Sequence, residues 1–293
     1  MPVYEQGYRR YEGKLEGHGL RWWTVTSTEL VRHLRKKAVL ALIALSFLPF
    51  VVFAFIAYSR VVVSERGASF ASEAATIDRL IGEFEAGFFT DMIQFQIFWV
   101  VLLAAVVGSG LIARDRETRA LELFLSRPLT RRGYLLGKFG VALALTCTIT
   151  VVPALLLYAV VAILQPSFDY VRETLSLPFR LVGASVFTSI VASTLILALS
   201  SALSRPRVVG VIWFAFYLAS EIGASVTQEI TGDVRWLAAS LGNSFLRVSE
   251  WILVAEPEND FSVWLALGPL AVLSVVGAGV LLTRVRAVEV VKG

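Results

Sequence analysis

Charge is what this sequence has least of. Asp, Glu, Lys and Arg make up 17% of its 293 residues, against about a quarter in an ordinary soluble domain. With 56% hydrophobic residues and a mean hydropathy of +0.71, the composition excludes a soluble globular enzyme and a disordered chain alike. Cysteine is nearly missing. Cys147 is the sole thiol, so no internal disulfide can form and a small disulfide scaffold is excluded. Histidine (His18 and His33) and methionine are present twice each, so no ligand cluster suited to zinc or copper exists. HExxH, GxSxG and paired intramembrane carboxylates are also missing, which argues against a membrane protease or esterase. No catalytic residue and no metal site is expected. The phosphate-cradling pattern GxxxxGK[ST] fails as well: its nearest match, Gly133 to Phe139, is one residue short, ends in Phe and lies where the chain enters the membrane. The formal net charge is only +4, and no nucleic-acid partner is expected.

Long apolar runs are what remains. A hydrocarbon core roughly 30 Å thick needs about 20 apolar residues per spanning helix. Ala38 to Ser59, Met92 to Ala113, Phe139 to Phe168, Leu181 to Ser204 and Phe261 to Thr283 carry no charge. A shorter run, Val208 to Ser220, spans only if its helix continues past Glu221 to about Thr227. Six spans result, at about 38–59, 92–113, 139–164, 181–204, 208–227 and 261–283. Flanking charge supports the count through the positive-inside rule. Of the 27 Lys and Arg, 20 fall before the first span, in the loops after the second and fourth, and after the sixth. The other three loops hold 15 of the 23 acidic residues. An even number of spans with both termini cytoplasmic fits this bias. The fold expected is an all-α polytopic membrane protein in one six-span domain, 38–283. It is flanked by a cytoplasmic segment, 1–37, and a short cytoplasmic tail, 284–293; outer loops cover 60–91, 165–180 and 228–260.

The first 37 residues are too polar for a signal peptide. Trp23, Leu30, Val31 and Leu34 recur at helical spacing, with Arg32, Arg35 and Lys36 on the other faces. That pattern predicts an amphipathic helix lying along the inner membrane surface, in contact with the lipid bilayer, rather than a plain tail. The outer loop before the sixth span is acidic yet holds the amphipathic stretch Arg235 to Leu246 and the apolar patch Trp251 to Ala255. It reads either as a small helical cap or as helices dipping into the outer leaflet.

The loop at 114–138 is the most informative segment. A short helix is predicted over Glu117 to Ser126, with Leu121, Phe124 and Leu125 on one face. Arg127-Pro128 ends it, and Thr130 caps the next helix, which carries Tyr134 and Lys138 at the membrane edge. The loop is either an ordinary solvated basic connection or a docking element, because three large apolar side chains shown to water invite a cover. Within the spans, Ser185, Ser189 and Ser193 lie at i+4 spacing on one face, and Thr146, Thr150, Gly108, Gly110, Gly277 and Gly279 are spread through the others. They read as close helix packing or as a mildly polar transport path. Glu221 is either a point on such a path or an interfacial carboxylate facing water. Pro49 and Pro153 are expected to kink the first and third spans.

The stretch Ala113 to Phe139, ARDRETRALELFLSRPLTRRGYLLGKF, resembles a segment typical of the type-2 permeases of ATP-binding-cassette (ABC) exporters. Glu117, Leu121, Glu122, Leu123, Leu125, Ser126, Pro128, Arg131, Tyr134, Gly137 and Lys138 fall on that pattern, while Arg119 and Phe124 depart from it. The six-span topology resembles the family over nearly the whole chain; the motif covers about a tenth of it. The resemblance implies a multi-pass permease of the bacterial inner (plasma) membrane, paired as a homodimer or heterodimer. Beneath it two copies of a separate ABC ATPase would dock at Glu117, Leu121, Glu122, Phe124, Leu125 and Arg131. ATP and Mg would be held by that ATPase, with no cofactor in this chain. The alternatives are a stand-alone secondary carrier or lipid-moving protein, and a membrane-embedded enzyme or assembly factor.

Overall fold

In hydrocarbon a backbone must satisfy its own hydrogen bonds, and the α-helix is the single-segment solution. The computed structural model describes residues 21–65, 86–118, 130–165 and 168–285, and among these there is no strand. In chain order the helices are α1 (Arg21–Leu34), α2 (Lys37–Ser46), α3 (Leu48–Glu65), α4 (Ala86–Leu103), α5 (Gly110–Glu117), α6 (Arg131–Leu164), α7 (Asp169–Glu173), α8 (Leu177–Ala202), α9 (Pro206–Thr231), α10 (Leu241–Leu253) and α11 (Val263–Arg284). A π-helical turn, Ala104–Gly108, joins α4 to α5. Among the described residues, six helices are long and apolar enough to cross a membrane: Lys37–Val61, Ala86–Glu117, Arg131–Leu164, Leu177–Ala202, Pro206–Thr231 and Val263–Arg284.

These helices overrun the charge-free runs at most ends. The second span is already helical at Ala86, and Phe88, Phe89 and Met92, buried in one core with Phe53 and Leu157, flank Asp91 on that helix. The third begins at Arg131, with the Thr130 hydroxyl accepting from the Gly133 N–H (3.1 Å) as its cap. The second and fourth spans are the most enclosed, 61% of each apolar window being buried against 17% for the fifth and sixth. The core is therefore built on spans two and four. Outward-facing Val211, Ile222 and Val275 suit lipid.

Proline and hydroxyl groups shape this core. The first span breaks at Phe47, two residues before Pro49. Pro153 sits inside the third and cannot donate to the carbonyl four residues back, that of Ile149. Gln96 repairs both irregularities: its buried side-chain amide donates to the Ile149 carbonyl and to that of Ser46 (3.0 Å). Along the interface of spans three and four, the Ser189 hydroxyl meets Thr150 (3.3 Å) and Ser193 meets Thr146 (3.4 Å). Ser200 enters the ladder of the second span. Its hydroxyl accepts from the N–H groups of Ile112 (3.2 Å) and Ala113 (3.0 Å) and donates to the Ser109 carbonyl (2.8 Å).

Candidate functional site

The site lies where α1, the end of the second span and the start of the third converge. Two glycines make the approach possible. A Cβ on Gly137 would stand 2.8 Å from the Val25 side chain and 3.1 Å from the Trp22 carbonyl; one on Gly140 would stand 2.8 Å from the Thr26 hydroxyl. Backbones can come this close only where side chains are missing. The Thr26 hydroxyl donates to the Gly137 carbonyl (3.0 Å). The face of α1 turned inward is polar, with Thr26, Glu29 and His33 buried, while Trp23 (53% exposed) and Val31 (48%) face out. The apolar stripe read from the sequence thus splits: Leu30 and Leu34 pack on the core, and Trp23 and Val31 do not.

The reason is Lys138. Its ammonium is wholly buried and lies 2.7 Å from Asp115 Oδ2 and 3.1 Å from Glu29 Oε1. The Tyr134 hydroxyl donates to Asp115 Oδ2 (2.7 Å), and its ring lies 5.5 Å from the ammonium. Arg32 closes the set from the surface by pairing with Glu29. Two carboxylates thus face two cations in a site largely shut off from water, where a charge without a partner would be costly. Among the described residues no group of three His, Cys, Asp or Glu side chains is placed to hold a metal ion.

Asp115 and Lys138 bracket the stretch whose sequence pattern was singled out above. The profile of the ABC-2 family transporter protein matches residues 23–235, a span that contains the whole cluster. The chain belongs to the ABC-2 transporter family. It is a permease component of an ABC transporter, a membrane protein, and its family implies an ABC ATPase partner. No match was found among curated proteins.

In the permease, the segment Tyr134-x-x-Gly137-Lys138 has a concrete structural meaning. Tyr134 orients Asp115, Gly137 admits α1, and Lys138 joins both neighbours to its own helix. None of these contacts was foreseen from the sequence, which placed Tyr134 and Lys138 only at the membrane edge. A signal existed: Glu29 is the sole acid in an otherwise basic stretch from Arg21 to Lys37, Lys138 abuts a charge-free run, and Asp115 lies two residues past the end of another.

The other sequence-derived positions fall in different places. Glu117 closes the second span's helix. Leu121, Glu122, Phe124 and Leu125 lie outside the described residues. Arg131 opens the third span, and its Nε and one terminal guanidinium nitrogen are buried without a hydrogen-bond partner among the described residues. Ser185, Ser189 and Ser193 are buried in the fourth span, and the Ser185 hydroxyl has no partner among the described residues. Glu221 stands far from the cluster, at the start of α10. It accepts from the Gly242 N–H (2.6 Å) and the Ser240 hydroxyl (2.7 Å), and its negative charge suits a helix N-terminus. At the other end of α10, burial pushes the Glu250 carboxyl above the usual range, against the pull of the Glu258 N–H and Arg247.

His33 makes the docking of α1 sensitive to acid. Burial, reinforced by Lys36, Arg32, Lys138 and Arg114, lowers its pKa from 6.5 to about 4. Nδ1 faces the Lys36 ammonium (3.4 Å), so a second proton there would meet a cation. Nε2 lies 3.8 Å from Glu29 Oε2, beyond hydrogen-bonding distance. Because the docked pKa is depressed, a detached imidazole binds a proton between pH 6.5 and 4 that the docked one does not. Stability of docking is therefore complete above about pH 7 and falls as pH drops through that window. At pH 5 the loss should be about 2 kcal/mol, or about 30-fold in opening. Amide-exchange protection over 21–34 should drop accordingly between pH 7.5 and 5 in the wild type and stay level in His33→Gln. An equal drop in both would assign the effect elsewhere.

Proposed function

We propose that this permease is an exporter subunit driven by ATP hydrolysis on a separate ABC ATPase that docks at the segment 117–126. The end of the bundle carrying Lys138 is the cytoplasmic end, and the membrane is the bacterial inner membrane. Two permease copies pair, with two ATPase copies beneath them that hold ATP and Mg. The observation that carries this reading is the family match combined with the buried cluster. Lys138 and Asp115 fix the two ends of the segment bearing Leu121, Phe124 and Leu125, so a force applied there enters the second and third spans together.

A transport path along Ser185, Ser189, Ser193 and Glu221 belongs to the same proposal. In the present conformation Ser189 and Ser193 are occupied by Thr150 and Thr146, so opening such a path requires spans three and four to part.

Leu121→Asp or Phe124→Asp should abolish recovery of the ATPase with the tagged permease while membrane insertion stays normal. A buried charge without a partner costs several kcal/mol, enough to lower recovery by about 100-fold or more. Glu117→Lys should act in the same direction but less strongly. Full recovery of the ATPase with both Asp variants would remove the docking assignment. Transport that survives ATP depletion and follows an ion gradient would favour a stand-alone carrier instead.

A further inference from the structure

The cluster around Lys138 does more than hold α1 in place. Three chain segments meet at one ammonium: Glu29 from α1, Asp115 from the end of the second span, and Lys138 itself from the third. α1 ends at Leu34 and the first span starts at Lys37, so only Arg35 and Lys36 separate α1 from the head of the first span. The Gly137 and Gly140 contacts leave no slack between α1 and the third span. Asp115 and Lys138 also bracket the proposed docking segment. A displacement of that segment reaches Asp115 from one side and the Arg131–Lys138 turn from the other. Apolar residues of similar volume would hold a static junction at least as well as a buried ion cluster. What charges add is a fixed, directional register among the three segments.

We infer that Lys138, held by Glu29 and Asp115, is the positioning residue that makes α1 and the neighbouring ends of the first three spans move as one body when the ATPase pushes on segment 117–126. This rests on the docking reading above. Lys138 touches neither nucleotide nor cargo; it acts by relaying displacement into α1.

The test uses the full permease with its ATPase in lipid nanodiscs. The permease carries Cys147→Ala and a fluorophore on Thr28→Cys, an exposed position of α1. Three quantities are read: ATPase recovered, hydrolysis rate, and the change in fluorophore signal on adding MgATP. Glu29→Gln keeps a hydrogen-bond acceptor for Lys138 and leaves the Asp115 pair intact. The expected result is ATPase recovery and hydrolysis within about twofold of wild type, with the MgATP-dependent signal reduced at least about fivefold, the lower end of ordinary coupling factors. The charge-free variant Glu29→Gln/Asp115→Asn/Lys138→Met guards against misfolding of the single variant and should show the same split. A wild-type signal in either folded variant, with ATPase bound, would overturn the inference and leave docking standing. So would a wild-type complex in which bound ATPase and MgATP never move α1. Failure of the wild-type permease to retain the ATPase would sink the docking reading itself, and the inference with it.

Discussion

Lys138→Met should destabilise the permease by about 3–5 kcal/mol, the usual cost of removing one partner from a buried ion pair. The substitution preserves length and apolar bulk, so the loss is electrostatic. Asp115 and Glu29 would face each other without the ammonium between them, with Arg32 on the rim and the Tyr134 hydroxyl as the remaining compensation. Glu29→Gln should cost far less, because the 2.7 Å pair of Lys138 with Asp115 persists. Thermal unfolding of the purified protein in detergent, followed by tryptophan fluorescence, separates the two. Equal midpoints for wild type and Lys138→Met would mean that the cluster is hydrated.

Gly210→Val is expected to be nearly as damaging for a different reason. A Cβ at this position in the fifth span would stand 2.7 Å from the Ala105 carbonyl oxygen and 3.6 Å from Ser109 Oγ. The obstacle is backbone in the π turn of the second span, so no rotamer change relieves it. The fifth span must back away, and the buried Trp213 indole, which donates to the Val101 carbonyl at 3.0 Å, would lose its partner. Overpacking of this kind costs about 1–3 kcal/mol, and an orphaned buried indole N–H adds about 1 kcal/mol or more. Gly279→Ala in the sixth span is the control: nothing lies within 4 Å of its Cβ position, so its midpoint should stay within about 0.5 kcal/mol of wild type. A comparable loss in both variants would assign the effect to glycine chemistry in helices rather than to the contact.

The six spans were legible because the demand for apolar length acts on each segment alone. Their ends were less so. Charged residues such as Asp91 and Arg131 looked like boundaries, yet the second span's helix runs through Asp91 and the Thr130 cap starts the third at Arg131. α1 was readable as a helix, but its orientation was not. Periodicity reports which residues share a face; it does not report that Lys138, 109 positions away from Glu29, awaits a carboxylate there. The same limit applies to Glu221, whose contacts with Ser240 and Gly242 depend on how α10 folds back. The π turn had only a faint trace in Gly108-Ser109-Gly110, and the Gln96 contacts none, since both arise from irregularities in neighbouring helices.

That π turn gives the second span one residue more than a straight α-helix of its length requires. The span is tied down on either side of it, by Gln96 towards one end and Asp115 at the other. If the surplus residue migrated along the helix like a wrinkle through a carpet, the stretch it crossed would advance about 1.5 Å and swivel by about 100°. Both anchors would stay where they are. Side chains now facing the fourth and fifth spans would be re-aimed without unwinding either terminus.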